Sequence, residues 1–199
     1  DIMKIRYGEN CAKKYTILRY GQKHQIKDYQ FTLYPAGHIL GSAQILIEKN
    51  KHRLVVTGDY KVGKDETCKN FKLIKCDTLI TEATFGLPIF QHPDPKEEIK
   101  KLINSVKKNK SSCHIIGAYA LGKAQRVMNL LRQNNYSDTI YIHGSLEKLC
   151  NYYRSQKINI GSFEKVVSKD KSFYEGKIII APPSALKDRW SRRFPDPII

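Results

Sequence analysis

The chain has 199 residues, 41% of them hydrophobic and 27% charged, with 35 Lys and Arg against 19 Asp and Glu for a formal charge of +16. That length suits one domain with a real core, or one domain and part of another; no run reaches the roughly 18 apolar residues of a membrane helix, and no apolar signal segment opens the chain. So basic a soluble protein is expected to meet a polyanion, most often nucleic acid, although lysines such as Lys49, Lys51, Lys107, Lys108 and Lys110 read as solvated surface.

In chain order, Gln30 to Tyr34, Ala43 to Ile47 and Arg53 to Thr57 are short β-rich runs separated by Gly, Pro and Asn-Lys turn signals. Thr78 to Thr81 reads as a further, buried strand. From Asp94-Pro95 the pattern changes to a helix start, with Ile99, Leu102, Ile103 and Val106 at helical spacing. A strand-then-helix rhythm follows: strand Cys113 to Tyr119, helix Gly122 to Gln133 carrying Val127, Leu130 and Leu131, strand Thr139 to His143, and helix Leu146 to Arg154. Lys177 to Ala181 is a last apolar strand, stopped by Pro182-Pro183, and Ser184 reads as the N-cap of an amphipathic helix through Trp190. Such alternation predicts an α/β layer of mainly parallel strands, with a domain boundary near residues 88 to 95. Five scattered cysteines without a CxxC pair argue for reduced thiols, and Cys113 and Cys150 beside apolar runs read as core. The opening Asp1 and the closing Pro197-Ile198-Ile199 read as the ends of a fragment.

Three polar residues mark a possible site. His38 sits between glycines in Pro35-Ala36-Gly37-His38-Ile39-Leu40-Gly41-Ser42-Ala43-Gln44, just after a strand. Asp59, in Thr57-Gly58-Asp59-Tyr60, ends the next strand but one, and Glu82, in Thr81-Glu82-Ala83-Thr84-Phe85-Gly86, follows another apolar run. Taken singly, a histidine in a glycine turn is usually structural and an aspartate there is usually a turn residue. An imidazole and a carboxylate at one sheet edge are, however, suitable ligands for zinc or manganese.

The segments GHILGSAQ, GDYK and TEATFGLP, in this order and spacing, resemble the β-CASP nucleases of the metallo-β-lactamase fold. Ala118-Tyr119-Ala120-Leu121-Gly122-Lys123-Ala124-Gln125-Arg126 resembles the entry to the β-CASP insertion. The Gly-Asp-Tyr-Lys and Thr-Phe-Gly-Leu-Pro wording, Ala181-Pro182-Pro183-Ser184-Ala185 and Trp190-Ser191-Arg192-Arg193-Phe194 resemble the bacterial ligase-associated DNA exonucleases of that group. The resemblance runs from about Tyr34 to Phe194. It implies an α/β protein, with a metallo-β-lactamase-like sandwich portion over residues 1–90 and a β-CASP-type α/β segment over 91–199.

By the same resemblance His38 is a metal ligand, Asp59 bridges two divalent ions (zinc, with manganese as the alternative), and Glu82 supports the site and assists proton transfer. The family's HxHxDH motif, which carries most of its ligands, is absent here, as are its downstream histidine motifs, so these residues alone are not expected to hold a tight dinuclear site. Lys61, two positions after Asp59, and Lys123 and Arg126, at a predicted helix N-terminus, are the substrate-binding candidates; for the latter two an ordinary polar helix face is an equal reading. Tyr119 reads as core rather than as a base-stacking platform, His143 stays unassigned, and Arg189, Arg192 and Arg193 with Trp190 form either a solvated helix face or a nucleic-acid track. The implied function is hydrolysis of phosphodiesters in DNA, preferred over RNA, in the repair chemistry of a bacterial cytoplasm, with a DNA ligase and other repair proteins as partners. The alternatives are an RNA-processing nuclease of the same group and a non-catalytic nucleic-acid-binding protein.

Overall fold

Short runs of β-branched residues joined by tight turns build the first part of the computed structural model, which describes residues 1–199 and divides into two units, Asp1–Gln91 and His92–Ile199. In the first unit a short helix α1 (Ile2–Tyr7) precedes strands β1 (Lys23–Ile26), β2 (Tyr29–Pro35), β3 (Ala43–Lys49), β4 (His52–Val56) and β5 (Thr78–Ile80). They form one sheet in the order β1-β2-β3-β4-β5. The first four strands run antiparallel, and β5 joins β4 in parallel. The β3–β4 hairpin closes on Asn50 and Lys51, both at positive φ (48° and 68°), the backbone that a two-residue hairpin turn requires.

Alternation along β3 and β4 sends Gln44, Leu46 and Val55 inward, with Thr32 of β2 buried beside them. β5 departs from expectation: Leu79 and Ile80 are 55% and 54% exposed. The run is apolar enough for a buried strand, but it lies at the sheet's edge with neither face covered, a circumstance no local pattern encodes.

The second unit contains α2 (Pro95–Lys108), β6 (His114–Gly117), α3 (Lys123–Gln133), β7 (Ile140–Ile142), α4 (Glu147–Ser155), β8 (Phe163–Lys165), β9 (Ile178–Ala181) and α5 (Pro183–Leu186). Its four strands are all parallel, in the order β6-β9-β7-β8. β9 is wholly buried because it has a neighbour on both sides and helices follow the strands around it, so the continuous run Ile178-Ile179-Ile180 is the signature of a strand covered on both faces. The core gathers Cys113, Ile115, Tyr141, Tyr174, Ile179, Ala181, Ala185 and Phe194; Cys150 is also fully buried.

Asp94 caps α2 by accepting hydrogen bonds from Lys96 N–H and Glu97 N–H at 2.7 and 3.4 Å, and Ile99, Ile103 and Val106 form its buried stripe. The inward face of α3 consists of Ala124, Gln125, Met128, Asn129 and Leu131, while Val127 and Leu130 are half-buried. Polar Gln125 and Asn129 are inward because the loops need partners there. Gln125 bonds Gly122 N–H and Ala120 O, and Asn129 bonds Asn159 O.

Three further expectations are corrected. The strand expected over 113–119 ends at Gly117, since the chain must bend toward Gly122, whose φ is +85°. The helix expected from an N-cap at Ser184 through Trp190 is one turn, Pro183–Leu186, with its N-cap two residues earlier at Pro182. Ser191 Oγ donates to Leu186 O and Asp188 O, drawing the chain into a new 3-10 turn at Ser191–Arg193 rather than a continued helix. Tyr119, expected in the core, is 71% exposed on the loop that follows β6.

Candidate metal centre

Because β2, β4 and β5 run the same way in the sheet, their C-terminal ends lie on one edge, and the segments leaving them carry His38, Asp59 and Glu82. The His38 loop is built by Ser42, whose Oγ accepts from His38 N–H and Ile39 N–H at 3.1 and 3.2 Å. Ala36 N–H to Ser42 O (3.2 Å) and Ser42 N–H to Ile39 O (3.0 Å) close the loop, and Tyr20 Oη donates to Ser42 O at 2.8 Å. Gly37 is required twice over: its φ is +72°, and a Cβ there would meet Lys61 O and, at 2.8 Å, Phe71 N. Lys61 N–H to Ala36 O at 3.0 Å brings the Asp59 segment alongside. Buried Gln44 adds a second tie by donating to Pro35 O and Lys72 O.

The result places His38 Nε2 3.8 Å from Asp59 Oδ2, with side chains 43% and 74% exposed. Glu82 accepts from Tyr60 N–H at 3.2 Å and from Thr84 N–H at 3.3 Å. These bonds from Thr84 and Tyr60, with nearby His38, hold its carboxyl below the ordinary carboxylate range. Glu82 is therefore a brace for the residue after Asp59, kept ionised by its donors.

Chemically, His38 and Asp59 are one nitrogen and one carboxylate donor facing outward, and their types fit a divalent-metal site. No third His, Cys, Asp or Glu joins them in a ligand cluster, whereas a catalytic zinc has three protein ligands. The pair thus fits as part of a metal centre and does not complete one.

Lys61, read from sequence as a phosphate contact, is ion-paired within its own loop: its ammonium bonds Asp65 Oδ2 at 2.9 Å. Burial would raise the Asp65 pKa, but hydrogen bonds from Thr67 and Lys61 outweigh it and leave the carboxyl below its usual value. Lys123 and Arg126 lie on α3 in the second unit. The amides there are largely satisfied already, Gly122 N–H by Gln125 Oε1, Lys123 N–H by Leu121 O, Ala124 N–H by Tyr119 O and Arg126 N–H by Gly122 O. Phosphate at this helix start would therefore be met mainly by side chains, and that of Lys123 is exposed. Ser42, Gln44 and Asp65 were missed as site builders; a hydroxyl four positions after a glycine-flanked histidine is the only local signal for any of them.

A mostly antiparallel sheet with His, Asp and Glu at one end, joined in sequence to a parallel α/β unit, makes this a mixed α/β protein. No protein-family model matches the chain. It is 31% identical over 182 residues to the probable RNase MJ4 of Methanocaldococcus jannaschii, covering 84% of this chain and 42% of that protein. It is 27% identical over 190 residues to a probable DNA ligase of Opitutus terrae (90% and 18%) and 28% identical over 204 residues to the Integrator complex subunit 11 of Danio rerio (89% and 34%). A solved structure of a protein of unknown function from Enterococcus faecalis V583 superposes with a TM-score of 0.52 at 14% identity, over 97% of this chain and 47% of that one, a likeness of fold. The chain is thus similar to metallo-β-lactamase-fold β-CASP nucleases, and it spans less than half the length of each of these relatives.

Proposed function

We propose that this chain carries part of the catalytic centre of a metal-dependent nuclease, with residues 1–90 as a metallo-β-lactamase-like portion and 91–199 as a β-CASP-like segment. The supporting observation is the meeting of His38, Asp59 and Glu82 at one sheet end, with Nε2 and Oδ2 3.8 Å apart, in a chain whose relatives are named nucleases. His38 and Asp59 would hold two divalent ions, zinc by ligand type, together with donors from outside this cluster. Such ions, when held, would supply an activated water and neutralise charge on the phosphate. Glu82 keeps the Asp59 turn in register through Tyr60 N–H; its part in proton transfer is that of a weak base, since its donors stabilise the carboxylate. Lys61, Lys123 and Arg126 remain the substrate contacts of this reading, through their side chains.

DNA in a cytoplasmic repair setting is the preferred substrate reading, supported by the similarity to a probable DNA ligase across 90% of the chain and by the TFGLP and PPSA segments; a ligase is the corresponding partner. RNA is the second reading, favoured by relatives named RNase MJ4 and endoribonuclease. Two measurements test this. In zinc and manganese titrations His38→Ala and Asp59→Asn each weaken binding at least about tenfold; unchanged affinity in both removes the metal assignment. Hydrolysis of matched DNA and RNA strands by the native protein then ranks the substrates, and cleavage of RNA alone puts RNA in the place of DNA.

A further inference from the structure

A basic site lies entirely within the second unit, away from His38 and Asp59 in sequence and on different elements. Past the C-terminal end of β8, Val167, Ser168 and Lys169 join Tyr174, Arg189 and Arg193 around a cavity of about 270 Å³. Its floor is rigid. Tyr174 is buried, its Oη donates to Val167 O at 2.8 Å, and it accepts from Val167 N–H at 3.1 Å. The wall beside it is a chain of edge-on rings, with centroids 5.1 Å apart for Tyr174 and Phe194, and 4.9 Å apart for Phe194 and Trp190 and for Trp190 and His143.

Arg193 is held against this wall. Its guanidinium lies 5.7 Å from the Trp190 ring centroid, and its Nε donates to Trp190 O at 3.1 Å, leaving the remaining donors of the fork unused. Lys169, Arg189 and Arg193 form no ion pair, and no carboxylate lines the cavity. Ser168 adds a hydroxyl to the same wall. Three converging cations without a counter-charge on a preorganised wall are costly unless an anion offsets their repulsion. His143 feels that charge, its pKa lowered first by burial and then by Arg193.

We propose that this cavity binds a phosphoryl anion, with Arg193 and Arg189 as its forked donors and Lys169 as a point charge. Two arginines and a lysine suit a tetrahedral dianion, since guanidinium forks pair two oxygens at once. The cavity admits a small group and no folded partner. Inorganic phosphate and a phosphate monoester at a strand end share this chemistry, and the site is independent of the metal centre.

Trp190 is the single tryptophan of the chain, so its fluorescence reports occupancy directly. The chain, kept in a chelator to exclude metal chemistry, is titrated with inorganic phosphate, with a short oligonucleotide bearing a 5′-phosphate and with the same strand lacking it. Phosphate or the phosphorylated strand should give a saturable change in emission. Arg193→Gln and Lys169→Gln should each weaken it about tenfold or more, while Lys107→Gln/Lys108→Gln on α2, with the same loss of charge per site, leaves it unchanged. Lys169→Gln lies on an exposed loop and keeps the test valid if Arg193→Gln misfolds. Saturation by phosphate alone marks a free-anion site, and saturation by the phosphorylated strand marks a strand-end site. Equal binding of the two strands, without competition from phosphate or sensitivity to Lys169→Gln, overturns the proposal.

Discussion

Single residues differ here in what their surroundings allow. Gly37 and Gly41 flank His38 and both have positive φ, +72° and +80°, yet a Cβ at Gly37 meets Lys61 O and Phe71 N, whereas at Gly41 it meets nothing within 4 Å. Gly37→Ala should therefore cost about 2–3 kcal/mol and loosen the His38 loop, against about 1 kcal/mol of backbone strain for Gly41→Ala. Parallel denaturant titrations of the two variants check the difference. His114 is 3% exposed, with Nε2 2.8 Å from Ser105 Oγ and Nδ1 without a partner. Burial lowers its pKa below the ordinary 6.5, so in acid the unfolded chain takes up a proton that the folded chain resists. Its contribution to stability is full above about 6.5 and declines as pH falls toward the lowered folded value. His143 shifts in the same direction, so His114→Gln should flatten part, not all, of the acid loss; thermal melts between about pH 7.5 and 5 measure it, and an unaltered slope would remove His114 from this account.

At the scale of elements, position within the sheet decides cost. β9 is central and Ile179 fully buried, so Ile179→Ala should lose about 3 kcal/mol. Leu79 on the edge strand β5 is 55% exposed, and Leu79→Ala should lose under about 1 kcal/mol. The α2 cap is the other element-level dependence: Asp94 satisfies two first-turn amides, and Asp94→Ala should cost about 1 kcal/mol. Urea midpoints of the three variants order these values, and a Leu79 loss equal to that of Ile179 would contradict the edge placement.

For the whole molecule the +16 charge sets behaviour no single residue controls. Binding to single-stranded nucleic acid should weaken at least about tenfold between roughly 50 and 200 mM salt, as counterions released from several phosphates return. Anisotropy across a salt series tests this, and an affinity indifferent to salt would assign the charge to solubility alone. No helix is long and apolar enough to cross a membrane.

Much of the molecule is legible in its sequence. The alternation of β2 to β4, the Asp94-Pro95 helix start and the Ile178–Ile180 run each follow from local preference, because the period of apolar residues and the turn chemistry lie within a few positions of one another. The motif wording around His38, Asp59 and Glu82 is likewise enough to point to a family. Tertiary structure alone decided the rest. It exposed β5 and Tyr119, which apolar content had placed inside, since burial depends on which neighbour arrives. It paired Lys61 with Asp65, stopped the last helix at Leu186 through Ser191, and gathered Lys169, Arg189 and Arg193 around one cavity. Residues about 20 apart in sequence have no local reason to meet; hydrogen bonds and ring contacts formed on folding put them together.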